Sequence, residues 1–168
     1  MNLSVRGSAE APIIEGEIQI DGPRYGSMQL SRVDGEMSYR GRELQFDLDG
    51  LDRNRSALRA SGAIPIDLAL IEVGDRVLDQ PMRVDLVADS LDAAIALSYV
   101  SALEGVVGTV SGDVSIRGTP GSPAPAGQLA LSRAAWSIEA IGVRHTGVNG
   151  TVTLREDRTA EVELSAAG

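Results

Sequence analysis

The chain has 168 residues, 43% of them apolar and 23% charged, a globular balance on a scale sufficient for one domain. Its formal charge is −9 and all fifteen basic residues are arginine, which argues against nucleic acid and against electrostatic docking on anionic headgroups. Without lysine or cysteine there is no Walker A, Schiff-base or Ser–Lys chemistry, no thiolate-bound zinc, no Fe–S cluster and no disulfide.

The first half reads as strands. Ile14, Gly16, Ile18 and Ile20 alternate with Glu15, Glu17 and Gln19, the period of a sheet with one apolar face. Met28 and Leu30 follow, then Val33, Gly35, Met37 and Tyr39, then Leu44, Phe46 and Leu48 between Gln45, Asp47 and Asp49. Leu58, Ala60, Gly62, Ile64, Ile66, Leu68 and Leu70 hold one parity, and Pro65 within that run marks a bend or an edge. Asp34-Gly35, Asp49-Gly50, Gly74-Asp75 and Asn149-Gly150 are expected at turns or bends.

Val84 and Leu86 continue the alternation, and then it breaks. Leu91, Ile95, Tyr99 and Leu103 fall four apart. The spacing predicts one short amphipathic helix near 91–104, with Ser90 as N-cap, Asp92 in the first turn and Gly105 as the stop. Such a helix would plug or cap the apolar face, or act as a gate. Alternation resumes at Val110, Gly112, Val114 and Ile116, then at Leu129 and Leu131, Trp136 and Ile138, Val152 and Leu154, and Val162 and Leu164. The pattern predicts ten to twelve strands, mostly antiparallel neighbours. No run reaches the length of a membrane span and no signal peptide is visible. The abrupt start and finish suggest a piece of a longer protein, with any anchor outside it and with end strands through which copies could pair.

Part of the chain echoes itself. Val5-Arg6-Gly7-Ser8, Pro12 and Glu15-Gly16-Glu17-Ile18-Gln19-Ile20 return as Ile116-Arg117-Gly118-Thr119, Pro125 and Ala126-Gly127-Gln128-Leu129-Ala130-Leu131, an offset of 111 residues. Val33-Asp34-Gly35-Glu36-Met37 returns as Val148-Asn149-Gly150-Thr151-Val152, an offset of 115. A period of this size suits an array that grows by adding strands. The expectation is a single segment, 1–168, with echoes at about 5–50 and 116–164.

No constellation offers a catalytic centre, and the chain is not expected to be an enzyme. Asp47-Leu-Asp-Gly-Leu-Asp52 with Asn54 departs from the EF-hand pattern and reads as a solvated acidic turn. His145 is the only histidine, too few for a histidine-based metal site, and no nucleophile motif accompanies it. Trp136 reads as a packing residue or a groove rim, and Pro120-Gly-Ser-Pro-Ala-Pro125 as a rigid connection. No cofactor or metal is expected.

Three stretches carry a family resemblance. They are Gly112-Asp-Val-Ser-Ile-Arg-Gly-Thr119 with its prolines and Gly127-Gln-Leu-Ala-Leu131; Ala60-Ser-Gly-Ala-Ile-Pro-Ile-Asp-Leu68; and Val148-Asn-Gly-Thr-Val-Thr-Leu154 running on to Val162-Glu-Leu-Ser-Ala-Ala-Gly168. In this order they resemble an internal piece of the TamB family, within the AsmA-like, repeating β-groove proteins of diderm bacteria. The resemblance implies an all-β fold: a long curled sheet forming a U-shaped, taco-like apolar groove. It implies lipid transport across the cell envelope, with phospholipid moving through the periplasm toward the outer membrane. It also implies an inner-membrane anchor and, in the translocation and assembly module, a partner barrel of the Omp85 class engaged in outer membrane biogenesis. The anchor and barrel-contacting regions have no counterpart in this sequence.

Beside the resemblance stands a physical expectation. Small aliphatic residues with few aromatics suit an open trough, in which acyl chains gain about 0.8 kcal/mol per buried methylene without hydrogen bonds. The expected lining is Ile18, Ile20, Leu44, Phe46, Val84, Leu86, Val114, Ile116, Leu129, Leu131, Val152 and Leu154. The alternative is a structural or adhesive β-repeat whose same residues fill a closed, dry core.

Overall fold

The computed structural model describes residues 2–25, 28–52, 55–96, 104–138, 143–157 and 159–166. Each alternating run becomes a strand: β1 (Asn2–Gly7), β2 (Pro12–Asp21), β3 (Arg24–Tyr25), β4 (Met28–Gln29), β5 (Arg32–Arg40), β6 (Glu43–Asp52), β7 (Arg55–Pro65), β8 (Arg83–Asp92), β9 (Glu104–Thr119), β10 (Ser122–Ile138), β11 (Val143–Leu154) and β12 (Ala160–Ala166). A single turn of helix, α1 (Ala93–Ala96), follows β8.

Ten strands form one sheet in the order β1-β2-β5-β6-β7-β8-β9-β10-β11-β12, while β3 and β4 pair as a separate ribbon. Every neighbouring pair is antiparallel. The sheet is curled but unclosed, because β1 and β12 are its two edges and do not meet. Ten strands at about 4.8 Å spacing give a sheet about 43 Å across. The chain exposes 10584 Å², against about 7,900 Å² for a compact monomer of its 17.6 kDa. The excess is what an open, single-layered sheet produces.

The expected helix near 91–104 is present in part, as α1, with a later start. Leu91 and Asp92 still belong to β8, paired with Val110 and Thr109, and Glu104 already opens β9. Residues 97–103, including Tyr99 and Leu103, lie outside the described residues. Ser90 is no cap: it sits at φ 55 in a register shift between Ala88 and Leu91, where its N–H donates to Ser111 Oγ (2.9 Å). The cap is Asp92, whose Oδ1 accepts from Ala94 N–H (2.8 Å).

Three of the four expected turns are corrected as well. Asp34-Gly35, Asp49-Gly50 and Asn149-Gly150 lie inside β5, β6 and β11, and only Gly74 falls in a connection. These glycines serve close approach between strands. A Cβ at Gly35 would collide with the Asp47 carbonyl oxygen and crowd Leu48 on β6. The parity run ending at Leu70 also stops earlier, since β7 ends at Pro65. Pro123 and Pro125 are strand residues of β10 rather than connection. They are tolerated because β11 pairs only from Gly127 onward, leaving that side of β10 open where a missing N–H breaks no ladder bond.

The echo has a structural counterpart. Gly7 pairs with Pro12 at the β1–β2 turn and Gly118 with Pro123 at the β9–β10 turn. The two glycines share nearly the same left-handed backbone, φ 91 and φ 90. Val5 then faces Ile14 as Ile116 faces Pro125, and Leu3 faces Gly16 as Val114 faces Gly127.

Candidate apolar groove

Directly paired residues of antiparallel strands point to the same face, so the register assigns every side chain. Four rungs run across the sheet. The first is Val5, Ile14, Tyr39, Leu44 and Ile64; the second is Leu3, Gly16, Met37, Phe46, Gly62, Val84, Ile116 and Pro125. The third is Ile18, Gly35, Leu48, Ala60, Leu86, Val114, Gly127, Leu154 and Ala160; the fourth is Ile20, Val33, Gly50, Leu58, Ala88, Gly112, Leu129, Val152 and Val162. A shorter fifth rung holds Leu91, Val110, Leu131, Gly150 and Leu164. All the residues expected to line a groove fall on these rungs, on one face. Between them run rungs of the other face, such as Glu17, Glu36, Asp47, Ser61, Asp85 and Ser115.

Burial on the apolar face is deepest at its two ends. At the first-rung end Tyr39 and Pro12 are buried beneath a strap, residues 66–82, that joins β7 to β8. Tyr39 Oη accepts from Leu68 N–H (2.9 Å), and Leu70 N–H donates to the Ala9 carbonyl (2.7 Å). Buried Asp67 accepts from Ala69 N–H (2.9 Å) and faces Arg42 Nε at 3.2 Å. Met82 N–H reaches the Gly118 carbonyl (2.8 Å). The strap thereby ties three hairpin turns together across one mouth of the curl.

At the other end Leu30, Ala57 and Leu91 form the buried cluster, with Val33, Leu58 and Ala88 packed on it. Val110, Ala134 and Val148 are buried there too. Register shifts cluster at this end. One holds Ser90, and another holds Arg133 at φ 49, whose N–H donates to Asn149 Oδ1 (2.9 Å). The second and third rungs between the ends hold no fully buried residue, although Ile14, Leu44 and Ile64 of the first rung are half-buried too. Met37, Phe46, Val84, Ile116, Leu48, Leu86 and Val114 are only half-buried. No second sheet lies over them, since the only other strands described are the β3–β4 ribbon.

A cleft of about 660 Å³ is lined by residues of the charged face together with Gly16, Met37, Phe46 and Gly62 of the second rung. Its walls are Glu15, Glu17, Glu36, Asp47 and Asp85, with Arg83 the one cation. The solvated carboxylates on its walls disfavour burying an apolar ligand there. Arg117 Nη2 binds Asp85 (2.7 Å) on this face, a half-exposed pair of the kind that contributes about 0–1 kcal/mol.

Trp136 is half-buried and tilts against the exposed His145 ring, 5.7 Å between centroids. Asp47, Asp49 and Asp52 lie on β6, with Asp49 bonded to Ser56 Oγ; Asn54 lies outside the described residues. Among the described residues no group of acidic or histidine side chains is arranged to hold a metal. No described helix is long and apolar enough to cross a membrane. The strap and the register shifts at residues 90 and 133 were not expected from the sequence. The strap's signals are Pro65 and the loss of alternation between Leu70 and Val84; the shifts depend on Ser111 and Asn149, which no local pattern links to residues 90 and 133. Compared with protein-family models, curated proteins and solved structures, the chain matches none.

Proposed function

We propose that the chain is a groove segment of a bacterial envelope protein that shields phospholipid acyl chains and conducts them between inner and outer membrane. The observation that carries this reading is the half-buried apolar face of an unclosed sheet, with no fully buried residue on its second and third rungs. Aliphatic rungs repeat there every second residue with no polar side chain among them. An acyl chain lying across Phe46, Val84, Leu86, Val114 and Ile116 would complete their burial, and it would slide without hydrogen bonds to break. The headgroup would stay at the solvated rim.

In this reading the chain works through a continuous surface and needs no cofactor. The resemblance to the TamB family supports a periplasmic location, an inner-membrane anchor and an Omp85-class barrel partner, the last two through regions outside this sequence. The test is lipid analysis of the purified chain by mass spectrometry. Phospholipid co-purifying with the wild type and lost from Leu86→Asp supports the reading. Protein free of lipid when expressed in a diderm host contradicts it.

A further inference from the structure

A second cleft, of about 420 Å³, is lined from β6, β7, β8, β9 and β10. Asp52 ends β6, Arg55 begins β7 and Asp92 ends β8, so the cleft lies where three neighbouring strands stop, at a rim of the sheet. Asp92 pairs with Thr109, one rung beyond Leu91 and Val110 and on the opposite face from them.

The backbone around this cleft departs from regular sheet. Two of the three described non-glycine residues at positive φ, Ser90 (55) and Arg133 (49), line it. Each such residue costs about 1–2 kcal/mol. Both are held in place from a neighbouring strand, since Ser111 Oγ accepts from Ser90 N–H and Asn149 Oδ1 from Arg133 N–H, 2.9 Å each. The register shifts on β8 and β10 thus bring Ser90 and Arg133 to one place, and bulges re-aim side chains in this way beside functional sites.

The charges give the cleft its chemistry. Among the described residues neither the Arg55 nor the Arg133 guanidinium has an ion-pair or hydrogen-bond partner, in a chain of net charge −9. Asp52 is equally unpaired, and Asp92 accepts only from Ala94 N–H. An anion alone would meet the two carboxylates here, and a cation alone the two guanidiniums. A small molecule carrying both charges satisfies all four groups. Its phosphate takes the arginines, with the Thr109 hydroxyl as a further donor, and its ammonium takes the aspartates.

We propose that this cleft binds a phosphate ester that also carries an ammonium group, of the phosphoethanolamine type. A phospholipid headgroup is one source of that chemistry and a soluble ester is the other. The lipid source rests on the groove reading, whereas the chemistry of the cleft does not. A lipid whose acyl chains lie on the apolar rungs would turn round the rim at the ends of β6, β7 and β8 and place its headgroup between the arginines and the aspartates.

The full chain is titrated with glycerophosphoethanolamine while its amide NMR signals are followed. The expected result is saturable movement of the Ser90, Gly108 and Thr109 signals at millimolar ligand, with Gly62 and Asp85 in the other cleft unmoved. Glycerophosphoglycerol, which lacks the ammonium, binds more weakly. Arg55→Gln and Arg133→Gln each weaken binding of the ethanolamine ester roughly fivefold. Asp52→Asn narrows the preference for that ester over glycerophosphoglycerol. Circular dichroism checks that each variant keeps its strands. Lipid extracted from the same purified chains separates the two sources. A lower share of phosphatidylethanolamine on the Arg55→Gln/Arg133→Gln double variant identifies the lipid headgroup, and ester binding by a lipid-free wild type identifies a soluble ester and removes the groove reading instead. No movement at Ser90, Gly108 and Thr109, equal affinity for the two esters, or unchanged affinity in both arginine variants overturns the proposal, even where phospholipid co-purifies and the groove reading stands.

Discussion

Single residues set how tightly the strands approach and how the ends are sealed. Gly35 sits where β5 crosses the Asp47 carbonyl, so Gly35→Ala forces a backbone shift and should lower stability by about 1–3 kcal/mol, read by urea unfolding. Tyr39→Phe removes the acceptor of the Leu68 N–H and leaves a partly buried donor unpaired, a loss of about 1–3 kcal/mol in the same assay. Asp157 closes the β11–β12 connection. Hydrogen bonds from Thr159, first the hydroxyl and then the N–H, hold its carboxyl below the ordinary value of 3.8. Because the folded pKa is depressed, this turn's contribution is present above that ordinary value and fades as pH falls through the folded one. NMR titration should therefore place the Asp157 midpoint below 3.8, and Thr159→Ala should return it upward. At this scale the sequence was a partial guide. The face of each aliphatic residue was legible because period-two alternation survives any twist of the sheet. The role of glycine was not, since Asp-Gly at a turn and Asp-Gly beside a crowded neighbouring strand look identical in one dimension.

Elements differ in how local their causes are. The strands were legible because alternation and flanking glycines lie within each run. The helix near 91–104 is legible in part. Leu91 and Ile95 have helical spacing; Leu91 pairs instead with Val110 in a bulged ladder, Ala93–Ala96 turns, and residues 97–103 lie outside the described residues. The strap was missed for the opposite reason, because its anchors come from Ala9, Tyr39, Arg42 and Gly118, far away in sequence. The two faces of one strand should respond differently to the same change. On β8, Leu86 lies on the apolar rungs, whereas Val87 points to the other face and is 48% exposed. Val87→Thr should change stability by less than about 0.5 kcal/mol in urea unfolding. Leu86→Ala removes half-buried contact and should be the costlier of the two in the same measurement.

For the whole molecule the governing fact is the unclosed sheet. An all-β, curled, groove-like architecture could be expected from one-sided alternation over so many strands with so few aromatics. What alternation does not specify is where the curl is covered. The strap packs on Tyr39 at one end and the Leu30, Ala57 and Leu91 cluster fills the other, and both depend on residues that meet only in three dimensions. A chain that exposes 10584 Å² when folded has less surface left to expose on unfolding. Its urea m-value should accordingly fall below that of a closed domain of equal length.

The most direct test of an acyl-chain groove compares neighbouring positions on opposite faces of β9. A photo-crosslinking amino acid is placed at Ile116 in one chain and at Ser115 in another, and adducts formed in diderm cells are read by mass spectrometry. Phospholipid adducts at Ile116 and none at Ser115 are the predicted result. Adducts at neither position, or equally at both, would contradict the account.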